Sequence, residues 1–417
     1  MNFYGQVKIM DENSAEQKFR LFNKDFVLLW AGQIVSSMGN SIQYIAVMWW
    51  IMNHFSNKES GIVMGLMFTF SVIPMAIIGP FAGVLNDRMS RKSIVILSDF
   101  LRGLLILWMA YLAYTNTLTA LLIYLISALM GIGGAFFNPA IQSTIPNMVP
   151  DKHLTRANSL YQTGMQFTQI IGPAIGGLLV GFFGPFFVFM LNGFSFIVSA
   201  GTEIFINFRQ NIANGENRNS FFTDFKEGFK FLYNQKLLFW AMIIVSVLNF
   251  AFSPLDILIA KQIKEIYHLG ALELGYTVSA FAIGMMVGSV FLSLIPEIKV
   301  KHNFIIIGAI ISGTLFAIFG FAPNLMTFLV IAFLIGLALA FVNVLFQVII
   351  QRLVPDEKRG RVFSVMLTFE TMLQPISLSV IGIMSSILSN AIIFMTLGTI
   401  IVIFSSLFYL VPGVKEV

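Results

Sequence analysis

FFNPAIQSTIPNMVPDKHLTRANSL (residues 136–160) returns 205 positions later as FVNVLFQVIIQRLVPDEKRGRVFSV (341–365). Extended to 131–169 against 336–374, the two stretches align without a gap and agree at 13 of 39 positions. Shared apolar composition would explain matches such as Ile145/Ile350. It does not explain Val149-Pro150-Asp151 with Arg156 set against Val354-Pro355-Asp356 with Arg361, nor Asn138/Asn343 and Gln142/Gln347 at the same offset. The chain is expected to be built from two related halves.

Around this repeat the chain is apolar. Of 417 residues, 57% are hydrophobic and 11% charged, against roughly 45–50% and about 25% in soluble domains. So little charge could not cover soluble domains of this length, and disorder needs the opposite composition. The apolar residues cluster into twelve runs near the roughly 20 residues a spanning helix needs. They are 26–52, 60–85, 93–114, 118–146, 157–183, 186–208, 237–262, 273–296, 304–322, 325–351, 361–388 and 391–411. Runs such as FIIIGAII (304–311) lack the alternation of a β-barrel strand. The expectation is an all-α membrane protein with twelve transmembrane helices in two six-helix pseudo-symmetric bundles, 26–208 and 236–411. A cytoplasmic N-terminal segment (1–25) and tail (412–417) flank them. The linker 209–235 carries an amphipathic helix, with Phe221, Phe225, Phe229 and Leu232 opposite Asp224, Lys226, Glu227 and Lys230, expected to lie on the cytoplasmic membrane surface. Two six-span halves in parallel repeat suit a rocking transporter with its substrate site between the halves.

Basic residues set the orientation. With the N-terminus inside, 21 of the 25 Lys and Arg fall on cytoplasmic segments. Lys58, Lys261 and Lys264 fall outside, and Arg102 lies within a span. That asymmetry places both termini in the cytoplasm and accounts for the net charge of +5. No nucleic-acid-binding signature competes with it. The first 25 residues are polar, so no cleavable signal peptide is expected. Cysteine is absent, and the four histidines (His54, His153, His268, His302) lack metal-ligand spacing. No metal site, no cofactor and no enzymatic activity are expected.

Polar side chains in lipid are costly and should face the bundle interior or a wet cavity. Gln33, Ser37, Asn40 and Tyr44 share one face of span 1, and Ser246, Asn249, Ser253 and Asp256 one stripe of span 7. Asn138 and Gln142 in span 4 are mirrored by Asn343 and Gln347 in span 10. Span 5 carries Gln162, Gln166 and Gln169, span 6 carries Asn192, Ser195, Ser199 and Glu203, and span 11 carries Glu370, Gln374 and Ser377. Each stripe reads either as cavity lining or as hydrogen-bonded glue between helices. Glu370 falls near mid-membrane, roughly 15 Å along its helix from Gly360, and Asp256 nearer the outer end of span 7. Carboxyls shielded from water can change charge near neutral pH, as a proton-coupled carrier requires. The alternative is a carboxyl satisfied by a neighbouring donor, or for Asp256 an interfacial group near Lys261. Asp99 and Arg102, at i,i+3, are expected to form a structural charge pair.

Between spans 2 and 3 the chain reads Gly83-Val-Leu-Asn-Asp87-Arg88-Met-Ser-Arg91-Lys92. A glycine turn with an acid–base cluster is a poor catalyst and a good latch, because the acid can sit at a helix N-terminus. This stretch resembles the major facilitator superfamily, whose corresponding loop follows G-x-L-A-D-[RK]-x-G-R-[RK]. Asn86 and Ser90 depart from that pattern. The resemblance implies a gating latch that breaks during transport. The second-half counterpart, PEIKVKHN (296–303), lacks the Asp-Arg core, so the latch would be one-sided.

In span 5, Gly172-Pro173-Ala-Ile-Gly176-Gly177 gives a small-residue face for close helix approach and a proline bend. It resembles the antiporter motif of drug exporters in the superfamily, with ordinary glycine packing as the alternative. Residues 136–160 and FNKDFVLLWAGQIVSSMGNSIQYIAVMW (22–49) are similar to the twelve-span drug:proton antiporter branch, which includes macrolide-efflux proteins and a siderophore exporter. Many relatives carry an acid in span 1 where this chain has Asn40, and another branch an arginine in span 4 where this chain has none. Proton coupling is therefore expected of Glu370 and Asp256. The resemblance implies a monomeric carrier in the bacterial cell membrane that exports small amphipathic molecules such as macrolides against protons. A dedicated exporter of a siderophore or lysolipid, and a non-transporting sensor or assembly partner, are the rival readings. The 44 Phe and 22 Met offer adaptable apolar contacts to such cargo.

Overall fold

The structure is a computed structural model, and it describes residues 23–207, 221–295 and 301–411. Every regular element among them is helical. In chain order they are α1 Lys24–His54, α2 Asn57–Arg88, α3 Arg91–Tyr114, α4 Ala120–Met148, α5 Asp151–Ile204, α6 Phe221–Asn234, α7 Lys236–Phe252, α8 Leu255–Lys261, α9 Ala271–Ser293, α10 Lys301–Phe319, α11 Leu325–Leu353, α12 Asp356–Met372, α13 Gln374–Met384 and α14 Asn390–Leu407. Among the described residues nine helices are long and apolar enough to cross a membrane. α1 takes the place of expected span 1, and the shorter apolar helix Asn303–Phe319 that of span 9.

Helix starts follow local chemistry. Thr119 and Asn324 accept the amides of Leu122 and Thr327 at 3.4 and 3.0 Å, capping α4 and α11. Ser90, which replaces the glycine of the family pattern, caps α3 by accepting the Ser93 amide. α5 holds two of the expected spans, broken at Gly184 with φ 78° and ψ 166°. Pro185 follows, removes an amide donor and excludes helical geometry at residue 184.

Expected span 7 is not one helix. α7 ends at Phe252, α8 starts at Leu255, and a π-helical turn follows at Gln262–Ile266. Pro254 cannot donate to the Phe250 carbonyl; the buried Ser377 hydroxyl of α13 donates to it instead, at 2.5 Å. Expected span 11 is likewise divided into α12 and α13, with Pro375 in the first turn of α13.

The sequence repeat is a structural repeat. Pro150 and Pro355 precede α5 and α12 with nearly equal backbone angles, φ −62° and ψ 150° against φ −56° and ψ 145°. Their carbonyls accept the amides of His153 and Lys358. Ile145 and Val149 sit in one core with Phe26, Leu29 and Val95, and their repeat-mates Ile350 and Val354 in another with Leu238, Val362 and Met366.

The chain gathers into two compact units. Among the described residues the first holds 23–41, 73–172 and 186–207, and the second 42–72, 173–185, 221–295 and 301–411. The boundary does not follow the linker, because residues 42–72 and 173–185 pack with the second half of the chain. The linker helix α6 is present and packs within the second unit. Phe225, Phe229 and Leu232 pack onto the core formed by Val362, Val365 and Met366, and Arg361 pairs with Glu227 at 2.5 Å. Leu232 is buried there, and Phe225 and Phe229 are half-buried. Residues 209–220 of the linker lie outside the described residues.

Candidate functional site

The polar stripe of span 1 resolves into four bonds to other helices. In the first unit, Gln33 donates to Glu203 at 3.4 Å, the Ser37 and Thr168 hydroxyls meet at 2.8 Å, and Asn192 donates to Asn40 at 3.3 Å. In the second, the Tyr44 hydroxyl donates to Asp256 at 2.5 Å. Side chains four apart on one helical face can each meet a neighbouring helix, so the periodicity fixes the face and the neighbours decide its use. In span 7, Ser246 and Ser253 bond back to the Met242 and Asn249 carbonyls.

A buried charge cluster lies in the first unit. Arg102 pairs with Asp99 one turn away and donates to the Ser98 carbonyl. Its guanidinium lies against the rings of Phe137 and Phe196, 4.1 and 4.8 Å from their centroids. Glu203 joins from the second arm of α5 and accepts from Gln33 and Ser199 on one oxygen. Small residues permit this approach: a Cβ on Gly103 would lie 3.1 Å from the Gly193 carbonyl. The sequence places Glu203 on a stripe without a partner. Its signal was a carboxyl inside a span, in step with Ser199 and Ser195.

The second cluster surrounds Tyr44 and Asp256. The Tyr44 ring also lies 5.5 Å from Phe68. Lys261, counted among the loop charges, is buried. It donates to the Asn57 carbonyl at 2.6 Å and pairs with Glu265, not Asp256, at 2.9 Å. Lys264 donates to the Met52 carbonyl and to Asn53. Thr69 donates to the Pro375 carbonyl and meets Ser379 at 2.9 Å. The antiporter-motif glycines serve close packing in two directions. Gly172 and Gly176 face Ser41 and Ile42 of α1, while Gly177 meets Ala271 and Leu272 of α9. Gly275 lies against Pro173 and Gly177 in turn.

At the latch, Gly83, Asp87 and Arg88 stand on the last turns of α2, and their side chains lie outside the described residues. Asn86 donates to the Phe136 carbonyl and Arg91 to the Ser143 carbonyl, both at 2.9 Å. Lys92 donates to the Ile204 and Ile206 carbonyls at 2.6 and 2.9 Å. A cation there complements the C-terminal end of α5.

The repeat-related pairs Asn138/Gln142 and Asn343/Gln347 are exposed, as are Gln162, Gln166 and Gln169. Asn249, Glu370 and Gln374 are half-buried. A cleft of about 640 Å³ opens between α3 and α4, lined by Leu97, Leu101, Trp108 and Gly133, with Ser98 and Arg102 in its wall. Among the described residues, no three His, Asp or Glu side chains gather as a metal ion would require.

Long apolar helices that carry buried charge define a multi-pass membrane protein. The chain belongs to the Major Facilitator Superfamily, whose family model matches residues 29–373 and 255–416. It is 23% identical over 389 residues to macrolide efflux protein A of Streptococcus pyogenes, covering 93% of this chain and 95% of that protein. It is 23% identical over 368 residues to the multidrug efflux pump Tap of Mycolicibacterium fortuitum, covering 85% and 88%. In fold it is similar to a bacterial homologue of the iron transporter ferroportin in an inward-facing state, with TM-score 0.71, 18% identity and coverage of 92% and 97%. The nucleoside transporter NupG gives TM-score 0.74 at 13% identity, covering 93% and 99%.

Proposed function

We propose that this transporter exports amphipathic small molecules, macrolides among them, by alternating access, in exchange for protons entering across a bacterial cytoplasmic membrane. Both termini face the cytoplasm in this reading, and the chain works as a monomer. The observation that carries it is the contact set around Tyr44–Asp256 within the second unit. In the proposed orientation, residues 42–72, 173–185 and 255–275 are outer ends of helices. Their packing through Gly177, Gly275, Thr69 and Lys261 is what a closed outer gate requires. The stretch Gly83–Lys92 is the corresponding inner latch.

Export rather than import is favoured by the likeness to proteins named for macrolide and multidrug efflux. Exposed Asn138 and Gln142 in the first unit, and exposed Asn343 and Gln347 in the second, each stand among apolar side chains, a mixture that suits an amphipathic molecule. In this reading Asp256 and the half-buried Glu370 are candidate carboxyls for the proton exchange.

The test is accumulation in inverted membrane vesicles. An imposed inward-acid pH gradient is expected to drive uptake of erythromycin and of an unrelated cationic dye. Uptake of neither, with no change in drug susceptibility of cells that make the protein, would sink the export reading. Uptake of a single compound only would mark a dedicated exporter.

A further inference from the structure

We propose that Asp99 and Glu203 hold one proton between them, and that this pair is where the transporter takes up and releases a coupling proton. The inference rests on the proton-coupled reading above and moves its site from Glu370 and Asp256 to Asp99, read from sequence as half of a structural pair, and Glu203, read as one member of a polar stripe.

The argument is a count of donors. Asp99 is 0% exposed and Glu203 1%. One Asp99 oxygen takes the Arg102 guanidinium. One Glu203 oxygen takes both Gln33 and Ser199. Among the described residues the remaining oxygens, Asp99 Oδ2 and Glu203 Oε2, are buried without a hydrogen-bond partner. The two carboxyl groups face each other across this cluster, with the Ser199 hydroxyl beside both. One proton held by the pair would supply a donor that these acceptors otherwise lack.

The charge count agrees. Two ionised carboxylates against one guanidinium leave a net negative charge out of water, which is strongly unfavourable. One shared proton makes the cluster neutral. Neighbouring carboxyls that cannot both ionise titrate as a pair. The titratable groups facing the pair are Arg102 on α3 and the Tyr161 phenol on the first arm of α5. Arg102, packed against Phe137 and Phe196, stays charged in place. The proton is then the part of the cluster free to leave. Arg102 also stands in the wall of the cleft between α3 and α4. The charge state of the pair is therefore felt where an amphipathic molecule can lodge.

Two measurements on the full chain in lipid test this. Infrared spectroscopy should show a protonated carboxyl carbonyl band that disappears in both Glu203→Gln and Asp99→Asn. In proteoliposomes, Glu203→Gln should lose pH-gradient-driven accumulation of a cationic dye while keeping dye exchange between equal pools, which needs no net proton movement. Persistence of the band in both variants would overturn the shared proton. Full gradient-driven accumulation by Glu203→Gln would overturn its role in coupling. Wild-type protein that carries dye with no response to the gradient, yet shows the band, would remove proton coupling itself and leave a structural proton.

Discussion

Ser377 donates its hydroxyl to the Phe250 carbonyl, the group that Pro254 leaves without an amide one turn on. The two residues are 127 positions apart and solve one problem together. In lipid a freed backbone carbonyl must find another donor, and the helix break at 253–254 persists because α13 brings one. Ser377→Ala should cost about 1–3 kcal/mol, the cost of a buried group left unpaired. In a Pro254→Ala background, where an amide is restored, the same substitution should cost much less. Thermal unfolding in detergent reads both. Equal losses in the two backgrounds would show that the hydroxyl acts elsewhere.

This pair also shows where sequence stops. The apolar runs, the Gly184-Pro185 break and the repeated Val-Pro-Asp turn are local patterns, and each fixes local backbone. Stripes of polar residues are local too, and they correctly mark one face of α1. Their partners are not local. Glu203 meets Asp99, and Tyr44 meets Asp256, only through the placement of separate helices, which helical periodicity does not encode. For the same reason the amphipathic pattern of α6 does not encode its packing against Val362 and Val365.

The Tyr44–Asp256 bond is expected to hold the proposed outer gate. Tyr44→Phe keeps the ring beside Phe68 and deletes the donor. A hydrogen bond contributes about 0.5–1.5 kcal/mol net, so the closed contact should weaken by up to about tenfold. The chain has no cysteine, which makes labelling a clean readout. Ser385, buried against Gly61 in the same contact, is a suitable reporter. Maleimide labelling of the Ser385→Cys variant should accelerate when Tyr44→Phe is added. An unchanged rate would assign the bond to local packing.

Gly177 and Gly275 test whether the antiporter-motif glycines act through close approach. A Cβ on Gly177 would lie 3.0 Å from the Leu272 Cα, and one on Gly275 would fall within 3.2 Å of the Gly177 Cα. Backbone cannot give way as a side-chain tip can. Gly177→Ala and Gly275→Ala should each cost about 1–3 kcal/mol of the closed contact, with faster labelling at the same reporter and slower transport. Gly181, with open space where its Cβ would stand, is the control, and Gly181→Ala should leave both measurements unchanged. Equal effects at Gly181 and Gly177 would point to general helix propensity instead.

Gly184 is held by conformation rather than by space. Nothing lies within 4 Å of where its Cβ would be, yet its φ of 78° with ψ of 166° belongs to a region open essentially to glycine. It is also where α5 divides into the two spans that carry Tyr161 and Glu203. Gly184→Ala should therefore destabilise the protein by about 1–3 kcal/mol through backbone strain alone, seen as a lower unfolding temperature in detergent. A d-alanine at the same position, introduced by semisynthesis, accepts positive φ and should restore stability. Equal destabilisation by both enantiomers would mean that the loss comes from the added methyl group and not from the turn.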